Sequence, residues 1–127
     1  MKFAKTVYLI AGIYGLLVVV PQYFMERQNS ITFPPPINHP EYYYGFIGVT
    51  VAWQIAFLII SRDPERYRPL MLATVVEKYT YVVAVLLLYA KGRITSVLIV
   101  APALIDLVLG TLFAIAYIKV KSSIRLR

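Results

Sequence analysis

Cysteine is absent from this chain of 127 residues, and histidine occurs once, at position 39. Without cysteine the chain has no disulfide, no thiol nucleophile and no thiolate metal site. A lone imidazole cannot supply both axial ligands of a bis-histidine haem, and no carboxylate spacing resembles a metal motif. Phosphate-binding glycine loops and nucleophile elbows are also missing. We therefore expect no metal, no cofactor and no evident catalytic motif.

Acidic residues are scarce, at 6 against 13 lysines and arginines, which gives a formal net charge of +7. The basic residues stand at the ends of apolar runs and form no single stripe, which argues against nucleic-acid binding. Apolar residues, by contrast, are abundant: 60% of the chain is hydrophobic and its mean hydropathy is +0.70. This composition predicts an integral membrane protein whose first partner is the lipid bilayer.

Four apolar stretches are long enough to cross a hydrocarbon core, which takes about 20 residues of helix. The predicted spans cover about residues 6–24, 42–60, 70–89 and 94–118, with an outer loop at 25–41 and a cytoplasmic loop at 61–69. No small-residue cleavage site follows Val20, so the first stretch is interpreted as an uncleaved span. The predicted fold is all-α, a four-helix membrane bundle in which residues 1–127 form a single domain.

The distribution of positive charge predicts the orientation of the bundle. Nine basic residues would lie on one side of the membrane: Lys2, Lys5, Arg62, Arg66, Arg68, Lys119, Lys121, Arg125 and Arg127. Only Arg27, Lys91 and Arg93 would lie on the other. The excess places both termini in the cytoplasm, and we expect the membrane to be a bacterial inner membrane.

Small residues recur within the spans, where they let transmembrane helices approach closely. They are Ala11, Gly12 and Gly15 in the first span, Gly45, Gly48, Ala52 and Ala56 in the second, and Ala103, Gly110 and Ala114 in the fourth. The pattern predicts close packing within one chain. The same stripes could equally bind a membrane-protein partner or a second copy of the chain.

Two carboxylates, Glu77 and Asp106, fall within the spans, where ionisable groups are expensive and often functional. A helical rise of ~1.5 Å per residue places Gln54, Glu77 and Thr111 in one polar layer, with Tyr81 and Asp106 in a deeper one. On the third span we expect an inward face of Thr74, Glu77, Tyr81 and Ala84. These groups are the candidates for catalysis or ligand binding, and a purely structural role is the alternative.

Lys78 is the cation nearest to these carboxylates in the sequence. It is turned by about 100° from Glu77 on a helix, so we expect no pairing between the two. Its ammonium group either snorkels to the headgroups or pairs with Asp106, and the second is favoured because an unpaired aspartate in mid-bilayer costs at least ~2.5 kcal/mol.

The outer loop contains His39 and Glu41, the candidate site residues outside the spans. Asn38 or His39 is expected to cap the helix that Pro40 begins, with Glu41 near the positive end of its dipole. The three prolines at positions 34–36 favour an extended path before that helix.

The stretch HPEYYYGFIGVTVAWQIAFLIISRDPERYRP, residues 39–69, together with the four-span pattern, resembles the small bacterial four-helix membrane proteins of the DoxX-like families. That resemblance implies a fold but no catalytic residues. A second comparison is the four-span sterol-isomerase-like (EXPERA) fold, which places histidine and acidic residues in a membrane cavity. Here His39 lies outside the third and fourth spans, which counts against isomerase chemistry.

Three functions compete. The association stripes and the lack of a catalytic set favour a non-enzymatic accessory or scaffold subunit of a membrane assembly. The polar set favours a binder or enzyme for a quinone-, sterol- or isoprenoid-like molecule, with Glu77 as general acid or base and Gln54 and Tyr81 orienting the ligand. Titratable groups in two layers would also suit proton or small-solute transport.

Overall fold

The protein, described by a computed structural model over residues 1–126, is all-helical in that part of the chain. Its helices are α1 (Lys2–Val19), α2 (Glu26–Thr32), α3 (Pro40–Arg62), α4 (Arg68–Ala90) and α5 (Val97–Arg125), with a 3-10 turn over Val20–Phe24. The four long helices are each apolar enough to cross a membrane. The predicted all-α membrane bundle is thereby confirmed. Arg127, which entered the charge count, lies outside the described residues.

The helix ends follow local sequence signals. Pro21 has no backbone N–H, and α1 gives way to the 3-10 turn just before it. His39 occupies the N-cap position of α3, as expected, but its side chain forms no capping hydrogen bond, and Pro40 is the first residue of the helix. Ser96 caps α5 by accepting a hydrogen bond from the Leu98 amide at 3.3 Å, so this helix begins three residues after the expected start.

The segment between α1 and α3 differs from the sequence-based expectation. Residues Glu26–Thr32 form the short helix α2, which was not predicted. The prolines at 34–36 then lie in a stretch without helix that leads to Pro40. We call residues 20–39 the distal segment, because they lie at the end of the bundle opposite the chain termini.

The long helices pack as two pairs, α1 with α3 and α4 with α5. The pairs are joined through α1 and α5, whereas α3 and α4 contact each other sparsely. The order around the bundle is therefore α3, α1, α5, α4, with a gap between the first and the last. That gap positions the candidate site.

The half of the bundle that contains the chain termini, here the terminal half, is tightly packed around Tyr8. The Tyr8 ring stacks on Phe113 with centroids 4.3 Å apart, and Phe57 packs edge-on against both rings. The Tyr8 hydroxyl shares a hydrogen bond of 2.6 Å with Thr74 Oγ1. One aromatic cluster thus holds α1, α3, α4 and α5 together, and any large cavity must lie in the other, distal half.

The small-residue stripe of α1 packs inside the chain, whereas part of the stripe of α3 faces outward. Ala11, Gly12 and Gly15 of α1 are buried, as expected. On α3, however, Gly45 and Ala52 are exposed. The buried residues of α3 are Ile47, Gln54, Phe57, Ile60 and Ser61. Small residues on α1 already permit the close approach, so α3 can present larger side chains to it.

The inward face of α4 is also displaced from the expected one. Its buried residues are Met71, Thr74, Lys78, Val82 and Val85. Thr74 is therefore placed correctly, Ala84 is exposed, and Glu77 and Tyr81 are half-buried. The buried face is displaced because Lys78 lies at its centre, and the carboxylates of Glu77 and Asp106 lie beside the lysine.

Candidate functional site

A cavity of about 1360 Å³ occupies the distal half of the bundle. All four long helices and the distal segment contribute to its lining. Its walls are largely aliphatic and aromatic, including Val18, Phe46, Val49, Trp53, Val76 and Leu109. Charged groups gather where the cavity meets the packed half. Such a cavity, apolar with a few convergent polar groups, is the usual form of a small-molecule site.

Two glycines of α1 explain why the space opens on the α4 side. A Cβ at Gly12 would lie 2.7 Å from a Leu58 methyl carbon, and a Cβ at Gly15 would overlap the Gln54 side chain. These glycines let α3 approach α1 closely. While α3 packs closely on α1, it contacts α4 sparsely, and the cavity occupies the gap between α3 and α4.

Lys78 is the centre of a buried ionic cluster at the inner end of the cavity. Its Nζ donates to Asp106 Oδ1 at 3.0 Å, joining α4 to α5, and lies 3.5 Å from Glu77 Oε2. Its side chain is 6% exposed, against 18% for Glu77 and 19% for Asp106. The Phe57 ring also lies beneath the ammonium group, with its centroid 5.5 Å away. The favoured pairing of Lys78 with Asp106 is confirmed.

The expectation that Lys78 and Glu77 would not pair is wrong. Adjacent Cβ atoms do point about 100° apart on a helix, but both side chains are long enough to bend toward the same cavity. Lipid surrounds the outside of α4, so the cavity is where the two charged ends can meet. As a result the two predicted polar layers are linked through a single ammonium group.

Glu77 Oε2 is the most notable polar atom of the cavity. It is buried and, among the described residues, no donor forms a hydrogen bond with it; its nearest charged neighbour is Lys78. A buried carboxylate oxygen without a donor is costly, and in native proteins it often marks a place where a ligand or water binds. Glu77 also lines the cavity, so the accessible part of its carboxylate can accept a hydrogen bond from a molecule there.

Gln54 and Tyr81 line the same cavity from opposite sides of the gap. The Gln54 Nε2 donates to the Thr50 carbonyl of its own helix at 3.1 Å, which fixes the orientation of the amide. The Tyr81 ring lies 6.3 Å from that of Phe46, centroid to centroid, across the gap between α4 and α3. The structure thus brings together Gln54, Glu77, Lys78, Tyr81 and Asp106.

The distal segment forms a hydrogen-bonded roof over the cavity. Asn29 Nδ2 donates to Gln22 Oε1 at 2.8 Å and to Tyr43 Oη at 3.0 Å, and the Tyr43 hydroxyl donates to the Gln22 carbonyl at 2.6 Å. Tyr44 adds a bond of 2.7 Å to Glu26 Oε2. Sequence reasoning missed Asn29, Gln22 and Tyr43 as cavity residues, because nothing in their spacing indicates that they meet.

Three candidate residues lie elsewhere. Thr111 is exposed, and its hydroxyl shares a hydrogen bond of 2.9 Å with Tyr79 Oη, away from the cavity. His39 Nδ1 lies 3.0 Å from Glu41 Oε1, with both side chains well exposed at the start of α3. These residues join the helices or cap them, and they do not extend the site.

The arrangement can bind a polar head and an apolar body at the same time. The cluster offers a carboxylate acceptor and an ammonium donor, and the walls offer apolar area. Within residues 1–126 no group of three or more histidine, aspartate or glutamate side chains is placed to hold a metal ion. No protein-family model, no curated protein and no solved structure matches the chain.

Proposed function

We propose that the protein binds a lipophilic small molecule, of the quinone, sterol or isoprenoid type, within the plane of the membrane. One observation carries the proposal: the ionic cluster of Glu77, Lys78 and Asp106 lines a large and otherwise apolar cavity. The apolar body of the ligand would pack against the walls of the cavity, and its polar head would reach the ionic cluster. Charged groups are rare in the hydrocarbon interior of a membrane. Those that line this cavity therefore favour a ligand with a polar head group at one end.

Access from the bilayer, between α3 and α4, suits such a ligand. These two helices contact each other sparsely, and Val49 and Val76 at the edges of the gap are each more than half exposed. The roof of Asn29, Gln22 and Tyr43 closes the distal end of the cavity. A molecule dissolved in lipid would therefore enter sideways without crossing the polar roof.

Glu77 is assigned the role of head-group acceptor, because its carboxylate lines the cavity and can only accept hydrogen bonds. A hydroxyl on the ligand would donate to that carboxylate. Lys78 and Gln54 donate to Asp106 and to Thr50, and each retains a further N–H that can donate to a second oxygen of the ligand. The acceptor role of Glu77 favours a ligand that carries a hydroxyl group on an apolar body.

Trp53 supplies the test, because it lines the cavity and is the single tryptophan of the chain. Its fluorescence is measured while the purified protein in nanodiscs is titrated with an isoprenoid alcohol and with the methyl ether of that alcohol. The alcohol should bind roughly tenfold more tightly, the equivalent of one hydrogen bond to a charged group. Glu77→Leu should remove that preference.

Two further variants control the experiment. Glu41→Gln changes a carboxylate outside the cavity and should leave the preference intact, whereas Ala73→Phe fills the cavity and should abolish binding of both compounds. The proposal fails if neither compound changes the fluorescence of the wild type, or if Ala73→Phe binds both as the wild type does.

A role as an accessory or scaffold subunit is the second candidate function. Its support is the exposed side of α3, where a Cβ on Gly45 would meet no atom within 4 Å and Ala52 is also exposed. Small residues on a lipid-facing surface allow a helix of another chain to approach. Co-purification of a stoichiometric partner or a second copy in mild detergent supports this role, and a lone monomer counts against it.

Transport is less well supported than either of these. The buried rings of Tyr8, Phe57 and Phe113 lie between the ionic cluster and the chain termini, and none of the three lines the cavity. We also propose that the protein is related to the DoxX-like families. It would lie in a bacterial inner membrane with both termini in the cytoplasm. The excess of basic residues at the terminal end of the bundle is what supports the orientation.

A further inference from the structure

A second concavity lies on the outside of the α1–α3 pair, in the terminal half of the bundle. It measures about 540 Å³ and is lined by Lys5, Thr6, Leu9, Ile13, Leu58, Ser61 and Arg62. Its position between two helices places it in contact with lipid, separate from the cavity described above. The proposed function does not involve this concavity.

The groove is polar at one end and apolar at the other. Lys5 is near the start of α1 and Arg62 at the end of α3, so both cations lie at the membrane surface of the terminal half. Eight residues separate Lys5 from Ile13, a rise of about 12 Å into the bilayer. Leu9 and Ile13 are each nearly half exposed along this path.

Neither cation has an acidic partner within the part of the chain that the structure describes. Among the ion pairs of residues 1–126 none involves Lys5 or Arg62, and no carboxylate lines the groove. Other basic residues at the same end are placed differently: Lys119 lies 4.5 Å from the centre of the Phe3 ring, and Arg68 lies 5.3 Å from that of Tyr117. Lys5 and Arg62 are therefore available to an anion.

We infer that this groove binds one anionic phospholipid, with its phosphate between Lys5 and Arg62 and an acyl chain along Leu9, Ile13 and Leu58. Two cations complement the headgroup charge, and Thr6, which lines the same groove, carries a hydroxyl group that can donate to the phosphate. The volume lies within the range of small-molecule sites. A basic pocket between transmembrane helices is the kind of site that selects anionic lipid from the surrounding bilayer.

Native mass spectrometry of the full chain in detergent tests the inference directly. Equal amounts of phosphatidylglycerol and phosphatidylcholine with identical acyl chains are added, and the retained lipid is identified by mass. The wild type should retain one phosphatidylglycerol in preference. Lys5→Gln/Arg62→Gln should lower the preference by about 30-fold, as expected for the loss of two cations near a headgroup.

Two other variants separate a built site from general attraction to positive charge. Lys2→Gln/Lys121→Gln removes the same charge from exposed residues outside the groove and should retain the preference. Leu9→Phe/Ile13→Phe keeps both cations but fills the apolar end, and it should lose the bound lipid. Circular dichroism confirms that each variant remains folded.

Three results would overturn the inference. The first is a wild type that retains both lipids equally. The second is an equal loss of preference in the two charge-removal variants, which would indicate attraction without a site. The third is an undiminished preference when the apolar end is filled, because the acyl chain would then contribute nothing.

Discussion

Lys78 holds its ammonium group between two carboxylates at a depth where the bilayer is otherwise apolar. Asp106 accepts a hydrogen bond of 3.0 Å from it, and Glu77 lies 3.5 Å away. In such surroundings the net benefit of a pair is small, but removing one partner leaves an uncompensated charge. The stability of the bundle should therefore depend more on Lys78 than on any exposed lysine.

Replacing Lys78 by methionine should lower the free energy of unfolding by about 3–5 kcal/mol, the usual penalty for breaking a buried ion pair. The double variant Lys78→Met/Asp106→Asn should recover part of that loss, because only Glu77 then remains without a cation. Reversible unfolding in mixed micelles, followed by circular dichroism, measures both. Lys91→Met, at an exposed position, serves as the control and should match the wild type.

If Lys78→Met proves as stable as the wild type, the two carboxylates are not held by this lysine. If the double variant proves no more stable than the single one, Asp106 does not share the pair. The coupling between the two positions, obtained from the complete mutant cycle, separates these outcomes.

At the level of the helices, sequence reasoning succeeded where the signal is local and failed where it depends on rotation. The number of spans followed from apolar length, and the start of α3 from Pro40 and its cap. Which side of α3 and α4 faces inward did not follow, because both helices are apolar nearly all round. Ala52, from a stripe that suited either the interior or a partner chain, is exposed, while Lys78 is buried.

The candidate site was predictable to a similar extent. Intramembrane polar residues marked Gln54, Glu77 and Asp106 as a set, and the structure places all three on one cavity. Thr111 lies at a similar depth but on a different side of its helix. Depth estimated from the sequence does not show which side of a helix a residue occupies. The roof residue Asn29 belongs to a helix of seven residues, too short to give a periodic signal.

The contact between α1 and α3 gives a prediction about Gly15. A methyl group there would overlap the Gln54 side chain, so Gly15→Ala should destabilise the bundle by about 1–3 kcal/mol. Gly45→Ala is the matched control, since both changes improve helix propensity but nothing lies within 4 Å of the Gly45 site. Thermal unfolding in detergent measures the difference between the two variants.

Gly15→Ala/Gln54→Ala should restore much of the stability, because it removes the side-chain atoms that the new methyl group meets. Equal stability of the two single variants would contradict the packing described for α1 and α3. Failure of the double variant to recover would show that Gln54 is not the source of the clash.

The whole molecule is divided between a packed terminal half and an open distal half. Aromatic packing around Tyr8 holds the four long helices together at one end. With the helices fixed there, α3 and α4 can diverge without loss of the fold, and the distal segment covers the space between them. A membrane protein built in this way can contain a ligand cavity with only four spans.

The orientation of this asymmetric molecule determines which side of the membrane the roof faces. Because the chain has no cysteine, each introduced cysteine is the sole thiol and reports one position. Asn38→Cys lies in the distal segment, and Ser122→Cys lies near the end of α5; both native residues are exposed. In intact cells an impermeant maleimide should label Asn38→Cys and spare Ser122→Cys. After permeabilisation both should react, which controls for the accessibility of each thiol. The reverse labelling pattern would show that the bundle has the opposite orientation in the membrane. The excess of basic residues at the terminal end would then not determine how the protein inserts.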